Sequence, residues 1–269
     1  MMDDSANTNI EVNQKAAIGG TTTQIGQQNI IYNVIPPEQA YQMVMDVFNQ
    51  NFPKLQAIAK ETAEKRANEF CQEAIQKIVK NGIEDFSPFS DPDVQYTLYE
   101  AQKNYARFGT SDMLNTLTSL VAERVEHDKD FILKIAIDKA IQIAPLLTPA
   151  QLDYLSILFL CTMTKTQNIA TIEELKKDLE FTAEVFSTAD FASTSYLYML
   201  GCLQHMIHFT TELLAKTYNF KKAQVEKICP QLIQQTTGDY TTSYVGTILA
   251  IVNAEAKTHF RFDPKIWIK

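Results

Sequence analysis

The chain has 269 residues, 24 Lys and Arg against 32 Asp and Glu, a net charge of −8 and 45% hydrophobic residues. That hydrophobic share excludes wholesale disorder, and the length suits one large helical domain or two small ones. A net-acidic chain with no dense run of Lys and Arg cannot displace the counterions of a phosphate backbone, so no nucleic-acid partner is expected.

The opening MMDDSANTN is acidic and polar, without an apolar signal core. From 5 to 35 the only charges are Glu11 and Lys15, and the stretch holds Gly19, Gly20 and Gly26. Asn9-Ile10-Glu11-Val12-Asn13 alternates polar with apolar, the period of a strand. Gly19-Gly20 marks a turn. The β-branched and amide-bearing residues over 21–26 and 29–35 continue the strand pattern. Pro36-Pro37 then ends any regular element, which places a boundary between a β-prone, Gln/Asn/Gly-rich segment, 1–35, and an α-helical domain, 36–269.

Beyond the boundary the expected fold class is all-α, with about nine or ten helices. Over 38–80, Met43, Val44, Val47, Phe48, Phe52, Leu55, Ala59, Ala63, Phe70, Ile75 and Ile78 recur at helical spacing and predict one buried stripe, kinked or divided at Pro53. Asn81-Gly82 closes that helix. A Pro-containing loop over 86–93 precedes a helix over 93–107, ended by Gly109. Ser111 caps a helix through 126 and Asp128 one through 144. Thr148-Pro149 opens a helix over 150–164 that is apolar on most sides and therefore central. Thr171 and Glu174 fit a capping box. Further helices are expected over 193–216, 221–235 and 241–257, with an extended tail over 259–269. In 196–200, Tyr-Leu-Tyr-Met-Leu, core packing is favoured over an interaction surface.

Cys71, Cys161, Cys202 and Cys229 are far apart, without CxxC or zinc spacing, and read as buried free thiols in a reducing cytosol. No stretch reaches the ~18 uninterrupted apolar residues of a membrane span. The chain accordingly reads as cytoplasmic.

The residues with the most specific chemistry are Gln24, Ile25, Gly26, Gln28, Asn29, Ile31, Tyr32, Asn33 and Val34. The stretch is uncharged and proline-free. Stacked in register, its amides can form side-chain ladders while Ile25, Ile30, Ile31 and Val34 fill dry interfaces between sheets. So short a segment buries too little apolar surface to offset its own ordering entropy, and needs copies of itself or another partner. Gln24-Ile25-Gly26, with Asn29 and the aromatic Tyr32, resembles the RIP homotypic interaction motif, departing from it at Thr23. The resemblance implies amyloid-type homotypic assembly, as in bacterial and fungal immune proteins, with anti-phage signalling as the setting. Partners would be the protein itself, as a homo-oligomer or filament, and other proteins with similar motifs. Three readings of the segment stay open: a disordered linker, a small β element in a finite oligomer, and an open-ended fibre. In the helical part, Asp91-Pro-Asp-Val-Gln95, Tyr99 to Arg107 and Leu147-Thr-Pro-Ala-Gln-Leu-Asp153 resemble an uncharacterised bacterial family whose members pair a Gly/Asn/Gln-rich start with an all-helical body.

No GxSxG, GxxxxGK[ST] or GxGxxG pattern occurs, so neither a nucleophile elbow nor a phosphate cradle can be named. No catalytic residue, metal ligand or cofactor is expected, and the protein reads as no enzyme. The competing reading is an unrecognised helical enzyme or metal protein: His205 and His208, at i and i+3, would share a helix face with Glu212 one turn on. His127 and His259 are expected near helix ends, where a partial positive charge suits the dipole.

Overall fold

The computed structural model describes residues 37–206, 210–235 and 240–269, which divide into two units after Pro53. The all-α expectation holds: among the described residues there are eleven α-helices and one two-stranded sheet. The helices are α1 (Pro37–Lys80), α2 (Pro92–Phe108), α3 (Ser111–Glu126), α4 (Phe131–Ile143), α5 (Pro149–Met163), α6 (Ile172–Val185), α7 (Thr194–Met199), α8 (Thr210–Tyr218), α9 (Lys222–Ile228), α10 (Gln231–Gln234) and α11 (Tyr244–Thr258). Strands β1 (Leu203–His205) and β2 (Tyr240–Thr242) pair antiparallel, with Leu203 opposite Thr242 and His205 opposite Tyr240.

α1 runs through Pro53 as one helix rather than two. Its stripe is not buried throughout. Phe70, Ala74 and Ile78 are in the core, whereas Met43, Val44, Val47, Phe52 and Ile75 are exposed. Burial sets in where neighbouring helices supply partners. Arg66 Nη1 donates to the Ala106 carbonyl at 2.9 Å, Tyr105 donates to Glu69 at 2.8 Å, and Phe70 packs on Tyr105 with ring centroids 6.2 Å apart.

Lys77, further along α1, donates to the Asn115 carbonyl and to Ser119 Oγ, each at 2.8 Å. Burial lowers its pKa from 10.5 to about 8. Between those two values the folded chain has shed the proton that the unfolded chain still holds. Below this window the buried ammonium costs stability, and that cost is relieved as the pH rises through it. The expected result is that the stability gap between wild type and Lys77→Met shifts in favour of wild type from pH 8 to pH 10. Urea unfolding at the two pH values measures it, and a gap independent of pH would contradict it.

Helix ends follow local side-chain chemistry. Gly109, at φ 65°, closes α2, and both Thr148–Gln151 and Thr171–Glu174 make full capping boxes. Two caps differ from expectation. Thr110, not Ser111, caps α3, and Asp130, not Asp128, caps α4, because the Asp128 carboxylate is taken by Arg124 at 2.7 Å.

The helix expected over 193–216 does not form. Gly201, at φ 75°, ends α7, with the Cys202 amide donating back to the Leu197 carbonyl at 2.9 Å. The chain then turns extended into β1. Thr241 and Thr242, expected at the start of a helix, form β2 instead, and α11 begins at Tyr244 under a Ser243 cap. The helix expected over 221–235 divides into α9 and α10 at Pro230. The tail is not extended throughout: it makes a 3₁₀ turn at Pro264–Ile266, and Trp267 Nε1 donates to the Met163 carbonyl at 2.6 Å.

α5 is central, as its composition implies, and packs along α11. One hydrophobic core gathers the second half of α1 with α2 to α5 and α11. A second lies where Ile157 and Cys161 of α5 meet Leu175, Leu179, Leu214 and Val225 of α6, α8 and α9. Gly246 lets the first turn of α11 lie against the entry to β1, since a Cβ there would sit 1.9 Å from the Cys202 carbonyl oxygen. Cys161, Cys202 and Cys229 are buried free thiols, but Cys71 is exposed.

Candidate functional site

The self-association residues Gln24 to Val34 lie outside the described residues, as does His208. His205 sits on β1, not on a helix. Its ring lies 4.7 Å from that of Tyr240 and 5.2 Å from that of Tyr198. The shared helix face on which a His205–His208–Glu212 metal site depended is therefore absent, because Gly201 ends the helix before it reaches His205. Tyr196, Tyr198 and Met199 are exposed and only Leu197 of that group is buried. The stretch expected to be core is mostly surface.

The densest chemistry gathers at the C-terminal turn of α3, where consecutive residues serve opposite neighbours. Arg124 is 1% exposed. It reaches Asp138 through Nε at 3.1 Å, Asp128 through Nη1 at 2.7 Å and Asp93 through Nη2 at 2.7 Å. Thr97 donates to the same Asp138 oxygen at 2.8 Å, and Lys134 lies 2.5 Å from Asp93. One guanidinium fork thereby ties α2, α3, α4 and the α3–α4 turn together. The Lys134 hydrogen bond, helped by Arg124, holds the Asp93 carboxyl below its ordinary pKa.

Glu123, one residue earlier, is 3% exposed, and His127, the C-cap of α3, is 5% exposed. Arg261, from the segment after α11, brings Nη2 to 3.0 Å from Glu123 Oε1 and 2.7 Å from Glu126 Oε2. Its Nη1 lies 3.6 Å from Glu255. Burial raises the Glu255 carboxyl to about 7, against the lowering by the Phe262 amide and Arg261. His127 Nε2 is 3.3 Å from Glu123 Oε2, yet misaligned, so that oxygen and both imidazole nitrogens make no hydrogen bond. Ligand-capable atoms of Glu123, Glu126 and His127 all lie within 4.8 Å of one another. His127 was foreseen only as a residue near a helix end. The available signal was the spacing Glu123, Glu126, His127 at i, i+3 and i+4, whereas Arg261 is remote in sequence.

A second concavity, of ≈ 630 Å³, opens over the second core. Leu160, Ile169, Leu179, Phe181, Leu214 and Phe262 line its apolar floor and walls, with Lys165 and Lys177 at its edge. Asp178 also lines it, its carboxyl raised by burial and held by the Thr166 hydroxyl at 3.1 Å. An apolar groove of this volume with a few convergent polar groups has the dimensions of a small-ligand or peptide site. No described helix is long and apolar enough to cross a membrane.

The model of an uncharacterised protein family matches residues 35–244, and the chain belongs to that family. No curated protein and no solved structure matches the chain.

Proposed function

We propose that this member of an uncharacterised family is a self-assembling interaction protein without catalytic activity. Its N-terminal segment, Gln24 to Val34, drives homotypic association, and its helical body binds a signal or partner. What supports the reading is the start of α1. Tyr41, Met43 and Val44, directly after the uncharged segment, are 61%, 54% and 67% exposed. Large apolar side chains kept in water beside a self-complementary stretch are what association between copies would cover. The groove over the second core is the part of the helical body suited to the signal. Four free cysteines suit a reducing cytoplasm. The setting we propose, bacterial anti-phage immunity, is supported by the resemblance of Gln24 to Tyr32 to the RIP homotypic interaction motif.

The test is light-scattering mass measurement of the full-length chain against a chain lacking residues 1–35. The full-length protein is expected as an oligomer or filament and the shortened one at a lower order. Equal masses would refute the reading. A peptide of residues 18–35 separates its two forms: thioflavin-positive fibres mark open-ended assembly, and none at high concentration marks a finite oligomer joined by paired strands.

A further inference from the structure

We propose that Glu123, Glu126 and His127 bind one divalent transition-metal ion of the zinc class. Their spacing on the last turn and C-cap of α3 puts all three on one face, with ligand-capable atoms within 4.8 Å of one another. The 3.3 Å between His127 Nε2 and Glu123 Oε2 is short for a pair that makes no hydrogen bond. It is the edge of a tetrahedron whose centre lies 2.0–2.1 Å from each corner, roughly 3.3–3.4 Å. An ion at that centre would satisfy the two atoms together.

Both groups are more than nine-tenths buried, and a buried polar atom without a partner is costly enough to be rare in a folded protein. Arg261 does not remove the deficit. It occupies Glu123 Oε1 and Glu126 Oε2, leaving Glu123 Oε2 and the imidazole unserved. In that position it does what outer hydrogen-bond donors do around metal-binding carboxylates: it fixes their orientation. Charge points the same way, because one guanidinium faces the two carboxylates of Glu123 and Glu126, with Glu255 beside them.

The ligand atoms of Glu123 and His127 are themselves buried, but a pocket lies beside them. A pocket of ≈ 460 Å³ is lined by Glu126 and His127 together with Asp85, Asp91, Asp128 and Asp130, against Lys129 and Lys265. A net-acidic mouth raises the local concentration of cations. Three protein ligands beside an open pocket leave a fourth position for water or another donor. One imidazole with two carboxylates favours zinc and its neighbours over calcium or magnesium, which take oxygen alone. The competing account is a closed Glu–His ion pair sealed by Arg261, which would bind no metal.

The experiment uses the tag-free full-length chain. Zn²⁺ uptake is measured by equilibrium dialysis with elemental analysis, and Co²⁺ serves as a visible-absorption probe of coordination. The expected result is one equivalent per chain, with affinity falling about tenfold or more in His127→Gln and in Glu126→Gln, and unchanged in His205→Ala. Should His127→Gln fail to fold by circular dichroism, Glu126→Gln carries the test, since its side chain is 34% exposed. No stoichiometric zinc, affinity unchanged in the variants that fold, or loss only in His205→Ala would each overturn the proposal.

Discussion

Replacing Arg124 with Met is expected to destabilise the protein by about 3 kcal/mol, the lower end of what breaking a buried ion pair costs. The side chain is 1% exposed and is the common partner of Asp93, Asp128 and Asp138. Methionine fills much of the volume but leaves three carboxylates facing one another. The lower end applies because those carboxylates are 45%, 23% and 25% exposed and can recover some hydration. Lysine is no remedy, since it carries one donor point where three directions are needed. The deficit also has a pH signature. A carboxyl whose folded pKa is depressed, as Asp93's is, adds stability above its unfolded value and loses it as the pH falls through the folded one. The gap between wild type and Arg124→Met should therefore narrow in acid, below about pH 4. Urea unfolding at pH 7 and pH 3.5 reads both effects, and a gap under about 1 kcal/mol at pH 7 would show that the fork is not a structural hub.

The second large effect is expected at Lys257, which lies 2.6 Å from Asp153 across α11 and α5. Asp153 is 0% exposed. It also accepts from Asn253 Nδ2 at 3.0 Å and from Thr188 at 2.5 Å. Lys257→Met leaves that carboxylate buried with neutral donors alone, and the expected cost is about 3–5 kcal/mol. Adding Asp153→Asn removes the stranded charge while keeping an oxygen for the hydroxyl. The double variant is expected to regain a large part of the loss. A double-mutant cycle in denaturant isolates the coupling. If the two single losses simply added, the pair would contribute nothing beyond its packing.

Architecture was legible where the deciding chemistry is local. Thr148 with Pro149, Thr171 with Glu174, and Gly109 announce helix ends from within four residues, and the structure places ends there. Three buried thiols and the central place of α5 followed from apolar patterning. What failed was non-local. Nothing near Leu203 says that Thr242 will pair with it, so the stretch over 193–216 reads as one helix although Gly201 carries the stop. The stripe of α1 gave the correct periodicity but not the extent of burial, because periodicity marks a face and not what covers it. The acidic side of the candidate metal centre is written in one helical turn, while Arg261 reaches it only through the fold of the tail. The segment on which the functional proposal turns, Gln24 to Val34, is read from sequence chemistry alone.

The short β1–β2 ladder has a consequence for how this architecture tolerates change. The chain leaves the ladder at His205 and returns to it at Tyr240, and those residues face each other in register. α8 to α10 lie between those two residues in sequence, so the ladder closes the excursion of the chain that carries them. Lengthening such an excursion costs only a logarithmic increment of closure entropy. Insertions are therefore best placed at the turn over 219–221 between α8 and α9, away from Leu214 and Val225, which pack against α5 in the second core.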